Sequence, residues 1–419
     1  MSVLSVTGVQ LAGRPGLPLL VVGPSLGTSV TALWSDAAAL LGDSFHVVGW
    51  DLPGHGSNGS GHTDPAAEGP FTLDDLAAGV LALADGVLAE RGEPGGRFAY
   101  AGVSVGGATG LALLLAAPDR VRAAVLLNTG ARLGDAAGWR ERAALVRRSG
   151  TPVMVEPSAG RWFARGFLDR SPEVGARLLS ALQEADRFGY AAVCEALAGF
   201  DVRHRLGEIE VPVLAVAGAE DQATPPELLA ALAAGVRHGR SVVLPAVAHL
   251  APAEAPAEVA ALVRAHVRSS LSLGEVRDAG MAVRREVLGA EYVDRATART
   301  SWLTREFQEL ITQYAWGSIW TRPGLDRRSR SLITLTALVA RGHHEELALH
   351  LRAALRNGLT PAEIQELLLQ TAIYCGVPDA NTAFRIAQDV LTQESTEESA
   401  AESTAESTEE STEHEEEGA

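Results

Sequence analysis

The run Phe98-Ala99-Tyr100-Ala101-Gly102-Val103-Ser104-Val105-Gly106-Gly107 decides how the first part of this chain folds. Its opening residues are apolar and strand-like, and the apolar helical segment Val105–Ala116 follows at once. A serine between two glycines at that junction fits a sharp strand-to-helix turn. Without Cβ atoms at Gly102 and Gly106 the chain doubles back and lifts the Ser104 hydroxyl clear of the strand end. Such triplets occur by chance; the strand before it and the helix after it give this one meaning.

On either side of this run, short apolar segments alternate with amphipathic helices from Leu17 to about Arg268. Leu19–Gly23, Phe45–Asp51, Phe98–Gly102, Arg122–Asn128, Val211–Gly218 and Ser241–Pro245 read as buried strands. Leu73–Glu90, Val105–Ala116 and Pro226–Ala234 read as helices between them. This alternation predicts a doubly wound, mostly parallel sheet. Residues 131–205 break it with an Arg- and Trp-bearing helical stretch, expected to cap the strand ends.

A serine nucleophile needs a base, and the base needs an orienting carboxylate. Asp221 follows the strand Val211–Gly218, and His249 follows the last strand in Ala246-Val247-Ala248-His249-Leu250. Glu220 is the competing acid; register after the strand favours Asp221. Ser, Asp, His in that order, each beyond a strand's C-terminal end, is the order of α/β hydrolases. Gly23-Pro24-Ser25-Leu26-Gly27-Thr28 follows an early strand, and its Leu26 N–H would join the Val105 N–H as an oxyanion donor.

With these residues placed, the first 268 residues resemble 3-oxoadipate enol-lactonases. The resemblance rests on Ser25-Leu26-Gly27-Thr28, Gly54-His55-Gly56, Asn128-Thr129, Arg161-Trp162-Phe163, Gly189-Tyr190-Ala191 with Cys194, and Ala248-His249-Leu250. It implies that Trp139 and Arg142 in the cap face the substrate, with Arg142 pairing a carboxylate; a solvated helix arginine is the other reading. Pro53 and Pro24 depart from that family's usual Arg and Asn.

At 419 residues the chain is too long for one core. Two cysteines, Cys194 and Cys375, make no disulfide framework and suit a reducing cytoplasm. No signal peptide or membrane-length apolar run is apparent. Residues 394–419 hold eleven Glu and no Lys or Arg, so without them the net charge of −17 becomes −6. That body has no basic patch suggesting nucleic acid. All 35 basic residues are Arg, which excludes a catalytic lysine and its Schiff-base chemistry.

Beyond the expected linker (269–275, with Ser269–Gly274 as its clearest part) the strand pattern stops. Thr304–Trp320, Asp326–Arg341, Glu345–Asn357, Pro361–Cys375 and Ala380–Gln393 have helical periodicity, with Asp379 as an N-terminal signal. Residues 276–393 thus form an all-α domain, and the Glu/Ser/Thr repeats of 394–419 predict a disordered acidic tail. Glu346 and His350 lie four apart, on one face of a helix, where a carboxylate can orient an imidazole for proton transfer. A helix-surface ion pair is the plain alternative. A metal reading of His343, His344, Glu346 and His350 lacks a second ligand cluster.

Ala279–Gly289, Tyr292–Arg295, Ala315–Leu325, Arg330–Thr334, the Glu346/His350 helix, Asn357-Gly358 and Ala372–Pro378 together make residues 276–393 resemble 4-carboxymuconolactone decarboxylase. The resemblance implies decarboxylation without cofactor or metal, because the substrate's own lactone carbonyl takes the electrons. His350 would deliver the proton and Glu346 orient it. Trp316, Trp320 and Arg322 are candidates for lining the pocket or binding carboxylate; for the tryptophans, core packing is the other reading. Together the two resemblances imply a bifunctional enzyme acting on small acidic lactones, oligomerising through its helical domain. Two further readings stay open: a helical domain that only assembles a single-activity hydrolase, and a generic esterase.

Overall fold

The computed structural model describes the backbone of residues 4–59, 70–322 and 324–416, with side chains as far as Thr396. The chain forms two compact units, Met1–Leu271 and Ser272–Ala419.

The first unit is built on a seven-stranded sheet: β1 (Thr7–Ala12), β2 (Leu19–Gly23), β3 (His46–Asp51), β4 (Phe98–Val103), β5 (Val121–Leu127), β6 (Val213–Gly218) and β7 (Gly239–Leu244). Their spatial order is β1-β3-β2-β4-β5-β6-β7. β2 to β7 are parallel and β1 pairs antiparallel with β3. Strands β2, β3, β4 and β6 are buried along their whole length, which is why they read as unbroken apolar runs. β1 gives no such signal, because it is an edge strand alternating between half-buried and exposed positions.

Helix Val105–Ala116 is apolar nearly all round and lies under the site. Leu73–Glu90 starts at a reciprocal capping box between Thr72 and Asp75, so its boundary is readable from the sequence. Between β5 and β6 the chain leaves the sheet for helices Ala136–Ser149, Val155–Trp162, Phe167–Arg170, Pro172–Glu184 and Arg187–Ala198, which correspond to the expected cap.

The second unit is helical: Leu273–Leu288, Ala290–Ala298, Arg305–Ile311, Arg327–Arg341, His344–Arg356, Pro361–Cys375 and Val377–Glu416. Thr304–Trp320 is not one α-helix, since Thr312–Trp320 is π-helical. That stretch packs backbone to backbone on Leu273–Leu288. A Cβ on Gly280 would lie 2.3 Å from Thr312 O, and one on Gly317 2.2 Å from Val276 O.

Two further sequence expectations are corrected. Most of the expected linker is helical: one helix runs to Ser269, and Ser272 caps the next with Glu275 completing a capping box. The last helix begins at Val377, not after Asp379, because Pro378 sits in its first turn where no N–H is needed. Its backbone is helical to Glu416. Beyond Pro378 no Gly or Pro interrupts it, and Glu and Ala favour helix. Side chains beyond Thr396 lie outside the described residues. Among the described residues no helix is long and apolar enough to cross a membrane.

Candidate active sites

In the sheet of the first unit, Gly23 of β2 pairs in register with Gly102 of β4, and Val103 of β4 with Leu127 of β5. The turns after these strands therefore emerge side by side. Ser104 sits in the turn after β4 at φ +55°, ψ −114°, a conformation most residues avoid. Its peptide N–H donates to Leu127 O at 3.0 Å, and Thr129 Oγ1 donates to Ser104 O at 2.6 Å, holding the strained turn at both ends. The flanking glycines are required by contact. A Cβ on Gly102 would meet Gly106 O at 2.4 Å, and one on Gly106 would meet Pro24 O at 2.6 Å. Val105 opens the helix, so its N–H has no intrahelical partner. Leu26 lines the same cavity as Ser104.

Asp221 and His249, from the loops after β6 and β7, are both buried. His249 Nδ1 lies 2.9 Å from Asp221 Oδ2 and 3.1 Å from Oδ1. The carboxylate also accepts the Thr224 hydroxyl at 2.5 Å, the Ala223 and Thr224 amides at 2.8 and 3.0 Å, and Asn128 Nδ2 at 3.0 Å. Burial works against its charge, but the His249 ring and the Thr224 hydrogen bonds outweigh it and hold the carboxyl at about 2. Asp221 is thus a fixed anion on the ring's far nitrogen. Glu220, the competing acid, accepts Arg165 N at 2.8 Å instead. Asn128 and Thr224 join the site without having been assigned to it from the sequence. A buried polar side chain just past an apolar strand is the available signal.

Ser104 and His249 line one cavity of about 280 Å³, with Leu26, Trp139, Arg142 and Arg161 among its walls. The Arg142 guanidinium lies 4.7 Å over the Trp139 ring, whose Nε1–H is tied to Leu133 O at 2.5 Å. Arg142 also hydrogen-bonds the Tyr190 phenol, whose pKa burial raises. Burial and the nearby Arg142 charge lower the Arg161 pKa. Two cations thus share one wall, and such a wall suits an anionic ligand. In the sequence Arg161 stands out only within a matching stretch. Burial pushes the Cys194 thiol up to about 12, which leaves it unreactive.

In the second unit Glu346 lies one turn before His350 on helix His344–Arg356. Burial lowers the His350 pKa, and the Glu346 charge opposes that. The Trp316 and Trp320 rings are 5.1 Å apart, and both pack in a small core with Leu349 and Ala353 of the same helix. Trp316 is buried, as the core-packing reading expects. Arg322 is exposed, and its carbonyl accepts Arg330 Nη2 at 2.7 Å. His343 and His344 stand exposed at the start of the His350 helix.

The model of the alpha/beta hydrolase family matches residues 19–262, and that of the carboxymuconolactone decarboxylase family matches 305–389. The first unit is similar to 3-oxoadipate enol-lactonase 2 of Acinetobacter baylyi, 36% identical over 212 residues, 51% of this chain and 74% of that protein. The second is similar to 4-carboxymuconolactone decarboxylase of the same organism, 43% identical over 111 residues, 26% of this chain and 83% of that protein. It is also similar to a nitrosuccinic acid decarboxylase of Metarhizium robertsii, 46% identical over 114 residues, 27% of this chain and 80% of that protein. The chain belongs to the alpha/beta hydrolase family in its first unit and to the carboxymuconolactone decarboxylase family in its second.

Proposed function

We propose that this chain performs two consecutive steps of protocatechuate breakdown in the 3-oxoadipate pathway. Its second unit decarboxylates 4-carboxymuconolactone, and its first unit hydrolyses the resulting 3-oxoadipate enol-lactone to 3-oxoadipate. The observation that carries the reading is the cavity shared by Ser104, His249, Arg142 and Arg161, a nucleophile and base facing two cations. A lactone bearing a carboxylate matches both halves of that cavity.

In decarboxylation the bond to the leaving carboxylate breaks and its electrons run through the ring double bond into the lactone carbonyl. A proton then goes to ring carbon, and CO2 departs. His350 delivers that proton, and Glu346 orients the ring and favours its protonated form. Trp316 and Arg322 are assigned to the substrate pocket. In hydrolysis His249 takes the Ser104 proton as Oγ attacks the lactone carbonyl. The Leu26 and Val105 N–H groups hold the oxyanion, and Trp139 with Arg142 and Arg161 holds the free carboxylate. The ring oxygen leaves as an enol, which tautomerises to the ketone, and water releases the product from Ser104.

The nitrosuccinate enzyme is a rival relative for the second unit. Nitrosuccinate also loses carboxylate beside an electron acceptor, so the same proton delivery would serve it. The first unit favours the lactone, because a lactonase activity on the same chain would consume what the lactone decarboxylation produces. The second unit leaves Trp302, Phe307, Tyr314, Ile373 and Tyr374 at least 59% exposed, which supports assembly of copies through it. The two cysteines support a cytoplasmic setting. Supplying purified protein with 4-carboxymuconolactone and identifying every product tests the proposal; 3-oxoadipate and CO2 in equal amounts support it, and unreacted substrate refutes it.

A further inference from the structure

His249 is flanked by peptide groups that do not pair within its own loop. The Ala248 N–H donates to Glu254 Oε1 at 3.0 Å and the Leu250 N–H reaches the same oxygen at 3.4 Å. Between them, the His249 N–H donates to Trp162 O at 3.1 Å. The other oxygen of Glu254 accepts the Ala164 N–H at 2.7 Å. One carboxylate therefore grips both neighbours of His249 and also the cap segment whose carbonyl holds His249 itself. Trp162, two residues from that grip, lines the cavity. The loop is crowded and strained: Ala246 stands at φ +55°, and a Cβ on Gly218 would lie 2.1 Å from Ala248 O.

We propose that Glu254 is a positioning residue for the hydrolase reaction, clamping the cap segment Trp162–Ala164 to the His249 loop so that the imidazole is aligned only when the cap is seated. The inference rests on reading Ser104, His249 and Asp221 as the hydrolytic triad. Glu254 is half-buried, and burial raises its pKa against the pull of its three amide donors and of His249. Asp221 bonds the His249 ring from the β6 loop, and the Glu254 carboxylate, on the following short helix, is near enough to feel its charge. Glutamine at 254 keeps one acceptor oxygen but turns an N–H toward the other donors, so it releases one side of the clamp. Alanine releases both.

The test uses the full chain, with Ser104 titrated by a small fluorophosphonate and turnover followed on 4-nitrophenyl acetate, which has no carboxylate for the cap arginines. Glu254→Ala should lower kcat per titrated serine by about 10- to 100-fold with KM nearly unchanged, and Glu254→Gln should fall between it and the native protein. A structural role alone would reduce the titratable fraction and leave kcat per site intact. Native kcat per titrated site in Glu254→Ala, or in Glu254→Gln if the alanine variant does not fold, overturns the proposal. Ester turnover surviving in Ser104→Ala would overturn the underlying triad instead, and is read in the same assay.

Discussion

Asn128 donates its side-chain N–H to Asp221 Oδ2 at 3.0 Å from a backbone held at φ +46°, and the same nitrogen reaches Ala248 O at 2.8 Å. One amide just past β5 thus joins the acid to the loop of the base. Asn128→Ala should destabilise the protein by about 1–3 kcal/mol, since it strips a buried carboxylate of a donor. Hydrolysis should fall by about 10- to 100-fold through misplacement of His249. Chemical denaturation and lactone kinetics check both; a stable variant with native kcat would show the link to be idle.

Arg142 and Arg161 should act on binding more than on turnover. Each single alanine variant should raise KM for the enol-lactone by about 10- to 100-fold, the cost of one charge-assisted hydrogen bond. Neither should change turnover of an uncharged ester much. An equal loss on charged and uncharged substrates would mean that the cap arginines build the fold and do not read the substrate.

Burial holds the His350 pKa below 6.5, so its protonated form declines early as pH rises. If that form is the donor, kcat/KM for decarboxylation falls as pH rises through the lowered value. The linkage to stability has the opposite sense: the unfolded chain takes up this proton first, so the fold loses stability as pH falls below 6.5. A pH profile of CO2 release rising to a plateau toward alkaline pH would exclude the imidazolium as donor.

Removing residues 397–419 should leave both activities unchanged, because their composition supports no packed core. Cutting before Glu394 is different. Glu394 pairs with Arg352 at 3.3 Å, on the helix that carries His350. That cut should cost about 0.5 kcal/mol of stability, as half-exposed ion pairs do. Thermal unfolding of the two truncations separates them.

The sheet is legible because its central strands are buried on both faces, leaving little but Val, Leu and Ala between turn residues. Ser104 and Asp221 are legible as candidates because each follows such a strand, and His249 because it follows the last strand, β7, at the sheet edge. Edge strand β1 and helix Val30–Leu41 are not; the first is half-exposed, and the helix hides its cap, Ser29, among other small residues. Asn128 and Arg161 carry no role in the sequence reading because their partners lie 93 and 19 residues away and come together only in the fold; Thr224, three residues from Asp221, reads as an ordinary loop threonine. The Ser272 cap looks like linker because serine serves both purposes.

In the proposed scheme two separate sites on one chain perform successive reactions, and one labelled-substrate assay reads both. Carboxymuconolactone carrying the isotope in its departing carboxylate is given to the native protein, Ser104→Ala and His350→Ala, with CO2, enol-lactone and 3-oxoadipate measured together. Native protein should release CO2 and 3-oxoadipate equally. Ser104→Ala should release CO2 at close to the native rate and accumulate enol-lactone. His350→Ala should lose about 10²- to 10⁴-fold in CO2 release yet hydrolyse supplied enol-lactone normally. Loss of both reactions in either folded single variant would contradict the account.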